Sequence, residues 1–394
     1  MPIHLFKSKG QCCGCEACAN VCPKGIIAMI ADEEGFYYPQ IMEPENCINC
    51  KKCLSVCPIK NAKKVVDFHE RAVAGYFGEM REVKKSASGG LATAISRGFV
   101  KTMGGGVYGV TYTEDFLMIE YRKAISYIDI EKFRTSKYAQ SRKQDVYTRI
   151  KADLIKGENV LFIGLPCDAY ALKLFLGREY RQLYICTLIC HGVTSPLVHR
   201  QYISSLIEDQ ENKIVEFTTR YKKEGWKPYY IRARFQKGNE YLEKFNTSRY
   251  GIAFLYLKRP SCNSCPIKRE FIHSDITMGD YHLAAGGAVR PYNPNGVSSA
   301  VVHTDKGEKL LELAEDFYVK DIPLKNVMYS EAYSKAIPVY RNRREFGEKL
   351  SREGLDAACS LSSIERIERE NQVKMKFKEM GARIKKIILR KKNG

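Results

Sequence analysis

The 394-residue chain contains no apolar run near the roughly 18 residues that a membrane-crossing helix requires. Its opening residues, MPIHLFKSKG, hold no apolar stretch long enough for a signal peptide. Both absences point to the cytoplasm. A phosphate loop of the form Gly-x4-Gly-Lys-Ser/Thr is missing as well. Gly104, Gly106 and Gly109 satisfy G-x-G-x-x-G on paper, but the dinucleotide fingerprint needs a strand before it and a helix after it. Here a helical pattern precedes and a strand pattern follows, so the match is rejected. The formal charge is +19, yet no nucleic-acid-binding motif accompanies it, and nucleic acid is not an expected partner.

What the chain has in excess is cysteine. There are 15, and 9 of them fall before residue 60, which is clustering and not background usage. Disulfides do not persist in a reducing compartment, so clustered cysteines read as metal ligands or catalytic groups. Cys12, Cys15, Cys18 and Cys22, with Pro23 next, are spaced C-x2-C-x2-C-x3-C-P; Cys47, Cys50, Cys53 and Cys57, with Pro58 next, repeat it. Three close thiolates can cap three irons of a 4Fe–4S cubane, and the fourth cysteine reaches the neighbouring cluster. The expected ligand sets are therefore Cys12, Cys15 and Cys18 with Cys57, and Cys47, Cys50 and Cys53 with Cys22. Zinc sites use paired C-x2-C knuckles and do not show two triple runs ending in Cys-Pro. Cys13 is spare and reads as a packed thiol. Between the motifs, GIIAMIADEEGFYYPQI reads as helical turn, strand, Gly turn and strand. Residues 1–66 are thus expected to form a small α+β, ferredoxin-like two-cluster domain.

The expected core, 67–345, is α/β, a mixed sheet with flanking helices. SASGG (86–90) opens a helical pattern, LATAISRGFVKTM. A Ser/Gly turn at a helix start suits a phosphate or pyrophosphate, and an ordinary Ser N-cap has the same appearance. NVLFIG, DAYALKLFLG and LYICTLI form a βαβ unit with parallel strands. Cys167 and Cys190 follow the two strands, at the carboxyl edge where open α/β sheets place ligands. Cys262 and Cys265 make a C-x2-C knuckle ahead of a further strand, SDITMGDY. These four cysteines could hold a third cluster or a structural zinc, or Cys167 could be a redox thiol at a helix N-terminus. Cys186 could stand in for Cys190, and Cys359 reads as packed. His191 reads either as a proton donor or as a hydrogen-bonded structural group.

SASGG (86–90), KYAQS (137–141), GLPCD (164–168), CHG (190–192) and RPSCNSCP with SDITMGD (259–280), in that order, resemble the beta subunits of coenzyme F420-reducing hydrogenases and related dehydrogenases. The resemblance runs from about residue 67 to about 310. It implies a core that binds FAD and an iron–sulfur cluster and moves electron pairs between flavin and an organic substrate or deazaflavin-like coenzyme. It further implies that Ser88, Gly89, Gly90, Lys137, Tyr138, Gln140 and Ser141 touch the flavin, and that Cys167, Cys190, Cys262 and Cys265 hold the core cluster. A redox partner protein or small electron carrier would take the single electrons.

With three clusters and a flavin the charge would still be about +11, a field that attracts acidic partners. Part of the excess lies in the tail, 346–394, expected to be helical: from Ile364 to Gly394 there are 11 Lys/Arg against 4 Glu. Val373, Phe377, Met380, Ile384, Ile387 and Ile388 recur at helical spacing, which fits a helix on an anionic membrane surface or one packed on its own domain. Two functions from different classes follow. One is a flavin- and 4Fe–4S-dependent oxidoreductase. The other is an electron-transfer subunit or cluster-bearing accessory protein with no substrate of its own, at the membrane surface in one version.

Overall fold

The computed structural model describes residues 3–366 together with 369 and 373. Except for position 373, the apolar stripe of the tail lies outside the described residues.

The N-terminal module holds two short helices, α1 (Ala17–Val21) and α2 (Lys52–Ser55), one within each cysteine run, and an antiparallel hairpin, β1 (Ile27–Ala31) with β2 (Tyr37–Ile41). The turn closes because Asp32 Oδ1 accepts from the N–H groups of Glu34 and Phe36, while Gly35 takes a positive φ. Phe36 is wholly buried among core residues, worth roughly 2–3 kcal/mol of docking.

An eight-stranded mixed sheet follows. Its strands are β3 (Arg71–Phe77), β4 (Gly106–Tyr112), β5 (Ile119–Ala124), β6 (Val160–Gly164), β7 (Leu183–Leu188), β11 (Ile276–Asp280), β12 (Ser298–Val302) and β13 (Phe317–Asp321), in spatial order β13-β3-β12-β11-β7-β6-β4-β5. The central β11, β7, β6 and β4 run parallel, and the outer pairings are antiparallel. The expected βαβ unit is β6, α7 (Pro166–Leu176) and β7. A separate antiparallel sheet holds β8 (Ile214–Tyr221), β9 (Tyr230–Phe235) and β10 (Glu240–Lys244).

The remaining helices are α3 (Met80–Lys85), α4 (Leu91–Met103), α5 (Tyr127–Phe133), α6 (Val146–Ile155), α8 (Pro196–Leu206), α9 (Arg249–Tyr256), α10 (Asp305–Glu312), α11 (Leu324–Met328) and α12 (Arg343–Cys359). On one sheet face, Leu91, Ile95 and Phe99 of α4 pack on Leu161, Cys186 and Ile276. On the other, α6 and α7 supply Tyr147, Ile150, Leu154, Ala169 and Leu172, joined by Ala17 and Val56 of the N-terminal module. That module therefore shares an apolar core with the α/β sheet. Cys186 sits inside β7 with its side chain in the α4-side core, so it cannot replace Cys190, which lies beyond the strand end. Cys359 is buried beside the Arg249 carbonyl.

Candidate functional site

The two cysteine runs exchange their last members. Cys12, Cys15, Cys18 and Cys57 line one small cavity, which Cys53 also touches; Cys22, Cys47, Cys50 and Cys53 line a second. The exchange follows from local structure: each run makes a tight loop and a short helix, and the fourth cysteine leaves that helix toward the other loop. Within the first set, burial pushes the Cys18 thiol up, and Cys12 and Cys57 push it further. In the second, burial raises Cys53, with Cys50 and Cys22 adding to the shift. Crowded thiols that oppose one another's ionisation suit a metal centre, which binds them as thiolates. Among the described residues, no three His, Cys, Asp or Glu side chains are arranged to hold a single metal ion.

A third group of thiols forms at the carboxyl edge of the parallel strands. Cys167 opens α7 after β6, Cys190 lies just past β7, and Cys262 and Cys265 come from a single 3-10 turn after α9. Burial pushes Cys262 up to about 12, with Cys190, Cys167 and Cys265 contributing; Cys265 is pushed up to about 12 by burial and then Cys167. The N–H of Gly192 donates to Cys190 Sγ at 3.3 Å. Lys258 stands next to this group. Its ammonium has no hydrogen-bond partner, although only 6% of the residue is exposed, and burial brings its pKa down to about 7. A buried cation without a partner beside four thiols fits a site that becomes anionic when loaded.

Cys13 joins the two regions. Its thiol stands beside those of Cys15 and Cys167; Cys15 and burial push it well above the ordinary value, and Cys167 acts in the opposite sense. Around it, Gln140 Nε2 donates to the carbonyls of Cys13 (3.2 Å) and Gly14 (3.0 Å), and Tyr147 donates to that of Cys15 (2.9 Å). Glu16 pairs with Arg142 at 2.9 Å and accepts from the Gln144 N–H. Gly14 has a positive φ, and a Cβ there would collide with Gln140 and the Arg259 guanidinium.

Beyond the core thiols lies a cavity of about 780 Å³, of a size suited to a cofactor. Of the residues expected at a flavin, Ser88, Gly90, Lys137, Tyr138 and Ser141 line it, together with Cys190 and His191. Gly89 and Gln140 do not. Gly89 is held between β3 and β12, where a Cβ would strike the Gly75 carbonyl and the Ser298 N–H, while Gln140 faces the Cys13–Gly14 loop. Ser88 Oγ donates to the Val297 carbonyl (2.6 Å), and Lys137 Nζ to that of Arg134 (2.7 Å); burial holds Lys137 at about 7. His191 is lowered to about 4 by burial and then by His282, so it is neutral at ordinary pH; its Nε2 lies 3.4 Å from Ser330 Oγ.

The organising residue of this wall was not legible in the sequence. Arg220, from β8, donates to Tyr138 Oη (3.0 Å), the Ala87 carbonyl (2.8 Å) and Asp280 Oδ2 (2.9 Å), and lies over the Tyr229 ring at 3.8 Å. Three segments of the family-like order, SASGG, KYAQS and SDITMGD, thus meet on one guanidinium. Arg220 lines the cavity, and its Nε is buried without a hydrogen-bond partner. A ligand oxygen would satisfy it, so the cavity fits an oxygen-rich cofactor such as FAD.

Residues 11–61 match the 4Fe–4S dicluster domain, and residues 157–324 match the family defined by the C terminus of the coenzyme F420 hydrogenase/dehydrogenase beta subunit. The chain is an iron–sulfur electron-transfer protein of oxidoreductase type. The second match contains all four core cysteines and Arg220. A chain of the F420-reducing NiFe hydrogenase complex from Methanosarcina barkeri, in a xenon-derivatized form, is similar at 16% identity with a TM-score of 0.45. That likeness covers 73% of this iron–sulfur protein and 95% of the other chain. No curated protein matches significantly. Among the described residues, no helix is long and apolar enough to cross a membrane.

Proposed function

We propose that this chain is an FAD- and 4Fe–4S-dependent oxidoreductase that passes electrons between a two-electron organic substrate in the cavity and a one-electron partner at its N-terminal module. The observation behind this reading is an unbroken series of side chains. Cys190 lines both the cavity and the core thiol group; Cys13 stands beside Cys167 of that group and beside Cys15; and Cys57 and Cys22 cross-link the two N-terminal sets. Cys50, at the far end, is exposed beside the exposed Ile48, Lys51 and Lys52, where a partner protein can approach.

Cys12, Cys15, Cys18 and Cys57 would hold one cluster, Cys22, Cys47, Cys50 and Cys53 the second, and Cys167, Cys190, Cys262 and Cys265 a third. When bound, the flavin converts an electron pair into single electrons, and the clusters carry them singly. The chain's own residues arrange the rest. Arg220, fixed by Asp280 and Tyr138, presents Nε to the cofactor, and the start of α4 presents Ser88 and Gly90. Neutral His191 can hold or give one proton at Nε2, with Ser330 as neighbour. The apolar walls from Leu91, Phe133 and Phe254 exclude water. The matched family's description names coenzyme F420, so a deazaflavin is the first organic substrate to try.

Purification without oxygen should give a brown protein with about 12 irons and one FAD released per chain on denaturation. About 8 irons with no flavin after reconstitution would remove the oxidoreductase reading. About 8 irons with one zinc would make the core group a structural metal site. Turnover of the isolated chain separates an enzyme from an electron-transfer subunit that lacks a substrate.

A further inference from the structure

Two adjacent cations, Lys258 and Arg259, lie between the core thiols and the first N-terminal set, and neither meets a carboxylate in its described contacts. Arg259 is wholly buried. Its Nε donates to the Cys12 carbonyl at 2.7 Å, one terminal nitrogen to Gln140 Oε1 at 2.8 Å, and the other to the Tyr37 carbonyl at 3.0 Å and toward Cys12 Sγ at 3.5 Å. The guanidinium lies over the Tyr38 ring at 4.1 Å. Every hydrogen bond of the Arg259 side chain is thus on the N-terminal module or on Gln140, which itself holds that module's loop.

Lys258 faces the other way. The backbone at Arg259 is extended (φ −56°, ψ 133°), so neighbouring side chains leave on different sides. The Lys258 stem passes Gly192, between Cys190 and Cys262 in space, and its ammonium lies over the Phe254 ring without a hydrogen-bond acceptor. Burying a cation in this way is costly unless an anion stands near it. Each loaded thiolate set is an anion and gains one further negative charge on reduction, so a fixed cation against it favours the reduced state.

We propose that Lys258 and Arg259 are the counter-cations of two different clusters, Lys258 for the core set and Arg259 for the Cys12, Cys15, Cys18 and Cys57 set. Each raises the reduction potential of its own cluster. One dipeptide thereby sets the levels of two successive stations on the electron route. The inference rests on the cluster assignment proposed above.

The test is a reductive titration of the anaerobically purified full chain, followed by electron paramagnetic resonance, with iron counted in each sample. In Arg259→Gln the reduced-to-oxidised ratio of the first N-terminal cluster at a fixed potential should fall about tenfold, which is about 59 mV for a one-electron couple. Lys258→Met should do the same to the core cluster alone. The Cys22, Cys47, Cys50 and Cys53 cluster is the internal reference and should move less than about twofold in both. Unmoved ratios, or an equal shift of all three clusters, would overturn the proposal. Should a neutral variant lose its cluster, Lys258→Arg or Arg259→Lys decides. Iron kept with the charge supports the counter-cation role, and iron lost in both variants assigns the residue to packing alone. A wild-type count near 8 sinks the cluster assignment itself, whereas about 12 irons with unmoved potentials sinks only this inference.

Discussion

The N-terminal thiols and the core thiols are two solutions to one problem, and they differ in where the information sits. Each N-terminal set takes three thiols from one stretch of seven residues, so that stretch alone forms most of the group. The core set takes one thiol from just past β6, one from just past β7 and two from a turn more than 70 residues later. Its geometry exists only once the parallel sheet has formed. A local site survives damage elsewhere, whereas an assembled site depends on every element that positions it.

The largest expected effect sharpens that contrast. Cys167→Ser should remove about four irons and stop electron passage from the cavity to the N-terminal clusters, while their spectra stay unchanged. Spectral change in all three clusters would mean that the N-terminal module is not autonomous, and iron counting with paramagnetic resonance reads both.

Next comes the exchange within the N-terminal module. Cys57→Ser should erase the same signal as Cys12→Ser, and Cys22→Ser the same signal as Cys47→Ser, since Cys57 and Cys22 sit in each other's cavities. If Cys57→Ser instead matched Cys47→Ser, each motif would be a closed unit.

Arg220→Gln tests the cavity in isolation. Losing a charged hydrogen bond of about 2 kcal/mol should weaken flavin retention roughly thirtyfold with iron unchanged. Equal flavin binding by equilibrium dialysis would place the cofactor away from Arg220.

The smallest effect concerns acid stability. His199, buried on α8 with Nε2 at 2.8 Å from the Phe116 carbonyl and stacked on Tyr112, is lowered by burial from 6.5 to about 4. The unfolded chain binds a proton there that the folded chain refuses. Its contribution to stability is therefore complete above pH 6.5 and is lost as pH falls toward about 4. His199→Gln should flatten the fall of the melting temperature across that window, and an unchanged slope would assign the acid sensitivity elsewhere.

Cys22 and Cys57 were readable because cubane geometry acts over three residues, and the β6–α7–β7 unit because apolar runs and a Gly stop are local signals. The GxGxxG at 104–109 was rightly set aside: α4 ends at Met103 and β4 starts at Gly106, the reverse of a dinucleotide turn. Gln140 shows the limit of a segment-level resemblance. Its neighbours Tyr138, Ala139 and Ser141 line the cavity, but Gln140 itself is turned to the Cys13–Gly14 loop, where its amide donates to two backbone carbonyls. Arg220 carried no signal: an Arg in a polar strand is ordinary until Ala87, Tyr138 and Asp280 are brought around it.

By itself, the sequence marked the two N-terminal cysteine runs and the α/β class of the core, since each rests on spacings of a few residues, and it left the occupant of the core quartet open. Tertiary structure alone decided that the three thiol groups form one series, that spare Cys13 is its joint, and that Lys258 and Arg259 face different members of it. Those relations join residues far apart in the chain, and no local spacing encodes a distance that only the packed sheet creates.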